Sequence, residues 1–228
     1  MTDPTFSPEL FAFLRDLARN NDRIWFARNK DRYEEDVRGP ALRFVAELSP
    51  HLNRISPHFR ADRRPAGGSL FRIYRDVRFS KDKRPYKTHV GIRFPHRAGK
   101  DVHAPGFYLH LEPGGTFMGC GVWHPDGATV ARIRGSITAR PDRWLRIRDG
   151  KRFRRRFRLG GETLRRAPRG IDADHPLIED LKRKDYIAIA ALDEGIVQGP
   201  GLVKEFAALC RDAEPFQRFL CEALGLEM

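Results

Sequence analysis

Along the first third of the chain the apolar positions recur at helical spacing. Leu10, Phe13, Leu14, Leu17 and Ala18 mark one face of a helix. Ser7 and Pro8 are its start signal: a capping hydroxyl, then a proline in the first turn, where an N–H has no partner to lose. Asn20-Asn21-Asp22 breaks the pattern and supplies a cap for a second helix, whose apolar side is Trp25, Phe26, Tyr33 and Val37. Gly39-Pro40 predicts an interruption. Leu42, Val45, Leu48, Leu52 and Ile55 predict a third helix, which Pro50 is expected to end or kink.

After a loop over 57–68, rich in Pro, Gly, Arg and Asp, the period changes from about 3.6 to 2. Phe71, Ile73, Val77 and Phe79 alternate with Arg72, Tyr74, Asp76 and Arg78, which predicts a half-buried strand over Leu70–Phe79. Val90, Ile92 and Phe94 predict a second strand, and Phe107, Leu109 and Leu111 a third, reaching Glu112. Pro113-Gly114-Gly115 is a turn, and 116–123 reads as the return strand of a hairpin. Its Gly119 and Gly121 suggest a bulge or a close approach of another backbone.

Helical spacing returns over 128–148, with Pro141 opening a second short helix. Phe153, Phe157 and Leu159 alternate with Arg152, Arg154, Arg156 and Arg158, which predicts an exposed strand with an arginine face suited to weak polyanion binding. A short helix after His175-Pro176, an apolar strand over 186–191, and one C-terminal helix or two broken near Pro215 complete the chain. The expected fold is α+β in a single domain over residues 1–228. N-terminal helices pack on a mainly antiparallel sheet, and further helices follow in the C-terminal half.

Composition narrows the class. The 228 residues are 40% hydrophobic and 32% charged, with no apolar run of membrane-spanning length. The N-terminal residues lack the cation-then-apolar order of a signal peptide, so a cytoplasmic protein with no membrane association is expected. Cys120, Cys210 and Cys221 are odd in number and lack ligand spacing, which fits reduced thiols. No metal-binding spacing, phosphate loop, dinucleotide fingerprint or nucleophile elbow is present, so neither a metal nor a cofactor is expected. The formal net charge of +13 suits a nucleic-acid partner, and equally the arginine bias of a GC-rich genome. Much of the excess is local, with thirteen Lys and Arg against three acidic residues over 140–169.

The candidate chemistry lies in the segment from Ser69 to His89, which holds seven Lys and Arg residues. Arg72, Tyr74, Arg78, Lys81, Lys83, Tyr86 and Lys87 are the candidate ligand-binding residues. Guanidinium forks and ammonium groups suit a phosphate, and the tyrosines can donate or stack. His89 and Asp76 are candidates for proton transfer. The competing account is an internal ion-pair network, with partners such as Asp31, Glu34 or Glu35 on the N-terminal helices. Arg75, on the apolar face, is one candidate for such a pair.

Four stretches carry a family resemblance: 13–34 (FLRDLARNNDRIWFARNKDRYE), 72–89 (RIYRDVRFSKDKRPYKTH), 106–115 (GFYLHLEPGG) and 168–178 (PRGIDADHPLI). In this order they resemble the Domain of Unknown Function 2461 family of bacteria and fungi over almost the whole chain. The resemblance implies one globular domain and carries over no catalytic role. The Arg154–Arg156 cluster is not part of that pattern.

The expected function is a soluble binding protein with a basic cleft for a phosphate-bearing ligand, either a nucleotide-like small molecule or nucleic acid. The alternatives are an enzyme acting on a phosphate- or carboxylate-bearing substrate and a scaffold for an acidic protein partner.

Overall fold

A computed structural model describes residues 5–64, 66–98 and 104–228. Residues 1–4, on which part of the signal-peptide expectation rests, and Pro65 of the 57–68 loop lie outside the described residues. Helix α1 (Pro8–Arg19) follows Ser7 and buries Leu10, Phe11, Phe13, Leu14 and Leu17. Asp22 caps α2 (Arg23–Arg28), its Oδ1 accepting from the Ile24 and Trp25 N–H groups at 2.8 and 2.9 Å.

The expected break at Gly39-Pro40 does not occur. Helix α3 (Lys30–Arg32), a π-helical turn (Tyr33–Arg38) and α4 (Gly39–Ile55) follow one another directly. Pro40 has no N–H for an i→i−4 bond, and the wider turn before it absorbs the fault: the Gly39 N–H donates to the Glu34 carbonyl, five residues back. Helix α4 also passes through Pro50. The short α8 (Ile178–Leu181) and α9 (Glu194–Val197) precede the C-terminal α10 (Leu202–Ala223), which passes through Pro215 as a single helix.

The sheet is antiparallel throughout, in the order β1 (Val90–Pro95), β2 (Gly106–Leu111), β3 (Phe117–Val122), β5 (Tyr186–Ala191) and β4 (Arg158–Gly160). The fold is therefore α+β, as the periodicity predicts. One face of the sheet carries Ile92, Phe94, Phe107, Leu109, Met118 and Tyr186, and it is sealed by helices. Helix α10 packs on β3 and on α4. Phe44, Phe94 and Phe206 tie α4, β1 and α10 together, with ring centroids 5.4–6.2 Å apart. Helices α5 (Gly127–Ala139), α6 (Pro141–Arg148) and α7 (Lys151–Arg156) pack against α10. Trp144 is fully buried there beside Tyr186, Phe216 and Phe219. Among the described residues, no helix is long and apolar enough to cross a membrane.

Two strand expectations are corrected. Leu70–Phe79 forms no continuous strand. It touches the sheet at one bridge, Leu70 to Ile92, and pairs with its own return segment at Tyr74 and Tyr86. The Asp residues of the segment explain this. Asp76 accepts from the backbone and side chain of Arg78, and Asp82 from those of Arg84, local turns that compete with a ladder. The arginine-rich tract is the helix α7 followed by the short β4, not one exposed strand. Phe153 and Phe157 are four apart, a spacing that fits both periods, and their stacked rings at 5.1 Å, together with Phe216, select the helix.

Candidate functional site

The second face of the sheet is where the candidate site lies. Strand pairing sets Arg93, Tyr108, Gly119 and Ile189 in one row across it, and Gly106, Gly121 and Ile187 in the next. Glycines in the middle of both rows leave a hollow where other residues would raise side chains. The hollow is a cavity of about 460 Å³, a volume suited to a small molecule. Its walls are Phe71, Lys87 and His89 from the 69–89 arm on one side, with Phe117 and Trp123 also lining it.

Asn21 fastens the arm. Its amide donates to the Tyr86 carbonyl and its oxygen accepts from the Tyr86 N–H, both at 3.0 Å, as a neighbouring strand would. The Tyr86 ring stacks on Phe26 at 4.2 Å. Lys87 follows, half-buried, with its ammonium donating to the Arg72 carbonyl at 2.8 Å and lying 5.5 Å from the Phe71 ring centre. It forms no ion pair with a carboxylate among the described residues. Burial, with the charge of Arg72 adding to it, pushes the Lys87 pKa down.

Beyond Lys87 the polar groups converge. The His89 and His110 rings stack at 4.5 Å. His110 Nδ1 lies 3.0 Å from the Tyr108 hydroxyl, and His110 Nε2 lies 3.1 Å from Glu112 Oε2. Burial, and then the neighbouring His110, push His89 down to about 4, so it is neutral at pH 7. A depressed His pKa means that the unfolded chain takes up the proton first. In buffer with a chelator, stability should fall as pH drops from about 6.5 to 4, by roughly 2 kcal/mol from this group once solvent screening of the partly exposed ring is allowed for. Urea unfolding at both pH values checks this: His89→Gln should lose less than the parent, and an equal loss in both proteins would refute the assignment.

The sequence-predicted residues divide. Lys87 and His89 line the cavity. Tyr86 is a core residue, 5% exposed. Arg72, Tyr74, Asp76, Arg78, Lys81 and Lys83 are exposed along the outer arm. There Arg78 pairs with Asp76 at 2.7 Å, and the Lys83 ammonium donates to the Val77 carbonyl at 3.0 Å. Arg75 does form an ion pair, but with Asp82 of the same arm at 2.7 Å rather than with the N-terminal helices. The Arg78 guanidinium holds Asp76 down at about 2, so Asp76 is a firmly ionised carboxylate.

A second hollow of about 520 Å³, between α6, α7 and α10, holds Arg143, Arg146, Arg152, Arg211 and Arg218. Three of these arginines are matched by carboxylates: Arg143 by Glu222, Arg152 by Asp212 and Arg218 by Glu214. In the arginine tract, Arg156 pairs with Glu205 and Arg158 donates to backbone carbonyls. The three cysteines are buried, and burial raises each thiol, so none is a ready nucleophile.

Sequence reasoning missed Tyr108, His110, Glu112, Phe117 and Trp123. The signal was the polar side of the β2 alternation, Tyr108-x-His110-x-Glu112, which puts three functional groups on one face. Nothing local says that this face is left uncovered.

Residues 9–219 match the model of the family described as "Conserved hypothetical protein (DUF2461)", and the chain belongs to that family. No curated protein and no solved structure matches the chain.

Proposed function

We propose that this member of the family binds a small amphipathic molecule with a phosphate head, in the cavity on the open face of the sheet. The observation that carries this is Lys87, a half-buried cation on the cavity wall that is matched by no carboxylate among the described residues. Desolvating a cation is costly unless an anion meets it, and a bound phosphate supplies that anion. The apolar body of the ligand lies over Gly119 and Gly121, against Phe71, Phe117 and Trp123, where a flat ring such as a nucleobase can stack. The exposed Arg72, Arg78, Lys81 and Lys83 form a basic approach to this site rather than its floor. A cavity of this size favours a nucleotide-like molecule over a nucleic-acid strand.

The test is calorimetric titration with nucleoside monophosphates and an alkyl phosphate. Lys87→Ala should weaken binding roughly 10–100-fold, the worth of one charge-assisted contact, with Lys87→Arg retaining part of it. The double variant Arg78→Ala/Lys83→Ala should reduce salt dependence and cost less than ~3-fold in affinity at physiological salt. Affinity should decline as pH rises, earlier than for an ordinary lysine, because the Lys87 pKa is lowered. No binding by the parent at millimolar ligand, or equal binding by Lys87→Ala, would overturn the proposal.

A further inference from the structure

We infer that His89, His110 and Glu112 form a binding site for one divalent first-row transition metal, zinc or ferrous iron by donor type, at the end of the cavity. One ligand atom from each of the three residues lies within 4.8 Å of the others, so modest side-chain rotation brings all three onto one ion. His110 Nε2 and Glu112 Oε2 are already 3.1 Å apart. Two ligands about 2.0–2.1 Å from a tetrahedral ion stand about 3.3 Å from each other, so this pair is spaced as co-ligands are.

The backbone accounts for the convergence. His110 and Glu112 are two residues apart at the end of β2 and so share a face. His89 precedes β1, whose first residue, Val90, pairs with Leu111, and this places His89 beside them from the neighbouring strand. Tyr108, on the same face, supports the metal-binding tautomer. Without an ion, His110 Nε2 faces the Glu112 carboxylate, which only accepts, so Nε2 carries the proton; once an ion takes Nε2, Nδ1 holds the N–H and donates it to the Tyr108 hydroxyl 3.0 Å away. The His110 side chain is only 12% exposed, so its orientation is held by packing as well.

Two imidazoles and one carboxylate leave coordination positions open, the arrangement of catalytic rather than structural metal sites. His89 and His110 both line the cavity, so a cavity ligand has access to those positions. An anionic head held between the ion and Lys87 is polarised from both sides. The metal site itself does not depend on the proposed cavity ligand, and its test uses metal alone.

The experiment takes the full chain, stripped with a chelator, and titrates it with Co²⁺ followed by visible absorption, then with Zn²⁺ in competition. One equivalent should bind with a tetrahedral or five-coordinate cobalt spectrum. His110→Ala and His89→Ala should each weaken binding at least ~100-fold, and Tyr108→Phe ~10-fold through the lost hydrogen bond to His110. Glu112→Gln keeps the size of the side chain and guards against a folding artefact: it should retain the circular dichroism of the parent and still lose at least ~10-fold. His58→Ala should bind as the parent does, because His58 stacks on His96, just beyond the opposite end of β1 from His89. The inference is overturned if Glu112→Gln binds like the parent, if cobalt spreads over several weak sites unaffected by these substitutions, or if no binding appears at micromolar metal.

Discussion

Replacing Gly121 with alanine is expected to destabilise the protein by about 2–5 kcal/mol, the sum of backbone strain and overpacking. Gly121 sits at φ +116°, a conformation that L side chains rarely adopt. An added Cβ would lie 2.1 Å from the Tyr186 carbonyl oxygen and 3.0 Å from Ile187 Cα. Both are backbone atoms of the paired strand β5, and they cannot yield without breaking the ladder between β3 and β5. The loss is a large part of the 5–15 kcal/mol that holds a typical domain folded, and corresponds to a melting point lower by roughly 5–20 °C. Gly119, two residues earlier on the same face, is the control. Its added Cβ would meet nothing closer than 3.7 Å, so Gly119→Ala should shift the melting point by no more than about 2 °C. Thermal unfolding of both variants decides the matter. A Gly121→Ala protein that melts with the parent would show that β3 and β5 do not approach as described.

Asp185→Ala is expected to cost about 3–5 kcal/mol through the loss of two charge-assisted hydrogen bonds. The carboxylate is 1% exposed. Its oxygens accept from the His124 N–H at 2.7 Å and the Glu162 N–H at 2.8 Å, and His124 Nδ1 stands 3.4 Å away. One side chain thus ties the segment after β3 to the segment after β4. His124 is held at φ +48°, a strained position for a residue with a side chain, and the Asp185 bond helps to keep it there. Trp123, the neighbour of His124, lines the cavity, so the same substitution should loosen that wall. Asp185→Asn retains one acceptor oxygen and should cost about half as much. Denaturant unfolding of the two variants checks both values. If Asp185→Ala unfolds within about 1 kcal/mol of the parent, the carboxylate is not the tie between these segments.

The elements were legible wherever one period dominated. The spacing of Leu10, Phe13, Leu14 and Leu17 admits only a helix, and Val90-x-Ile92-x-Phe94 and Phe107-x-Leu109-x-Leu111 admit only half-buried strands. Gly119 and Gly121 read as a bulge or a close backbone approach, and the close approach is found at Gly121. The misreadings share a cause. Phe153 and Phe157 satisfy two periods at once, and the stacking of their rings, with Phe153 against Phe216 of α10, chose between them. In Leu70–Phe79 the alternation is present, yet Asp76 and Asp82 spend the backbone N–H groups of Arg78 and Arg84 on local turns. Gly39-Pro40 reads as a stop because one hydrogen bond must be missing there, and the π turn supplies an alternative bond one residue further back.

The sequence by itself determined the first helix, the strands β1 and β2, the antiparallel hairpin around Gly114, and a cationic arm ending in His89. These depend on contacts a few residues apart, whose geometry the backbone period sets. The tertiary structure decided which cations are spare. Arg78 and Arg75 met Asp76 and Asp82 within the arm, whereas Lys87 was carried to the cavity wall by the bond between Asn21 and Tyr86, 65 residues apart. It also decided that His89 stands beside His110 and Glu112, because strand register, not sequence separation, fixes which residues share a face. Whether a sheet face is covered depends on where every helix packs, and in this fold that leaves a cavity over the glycine-floored face.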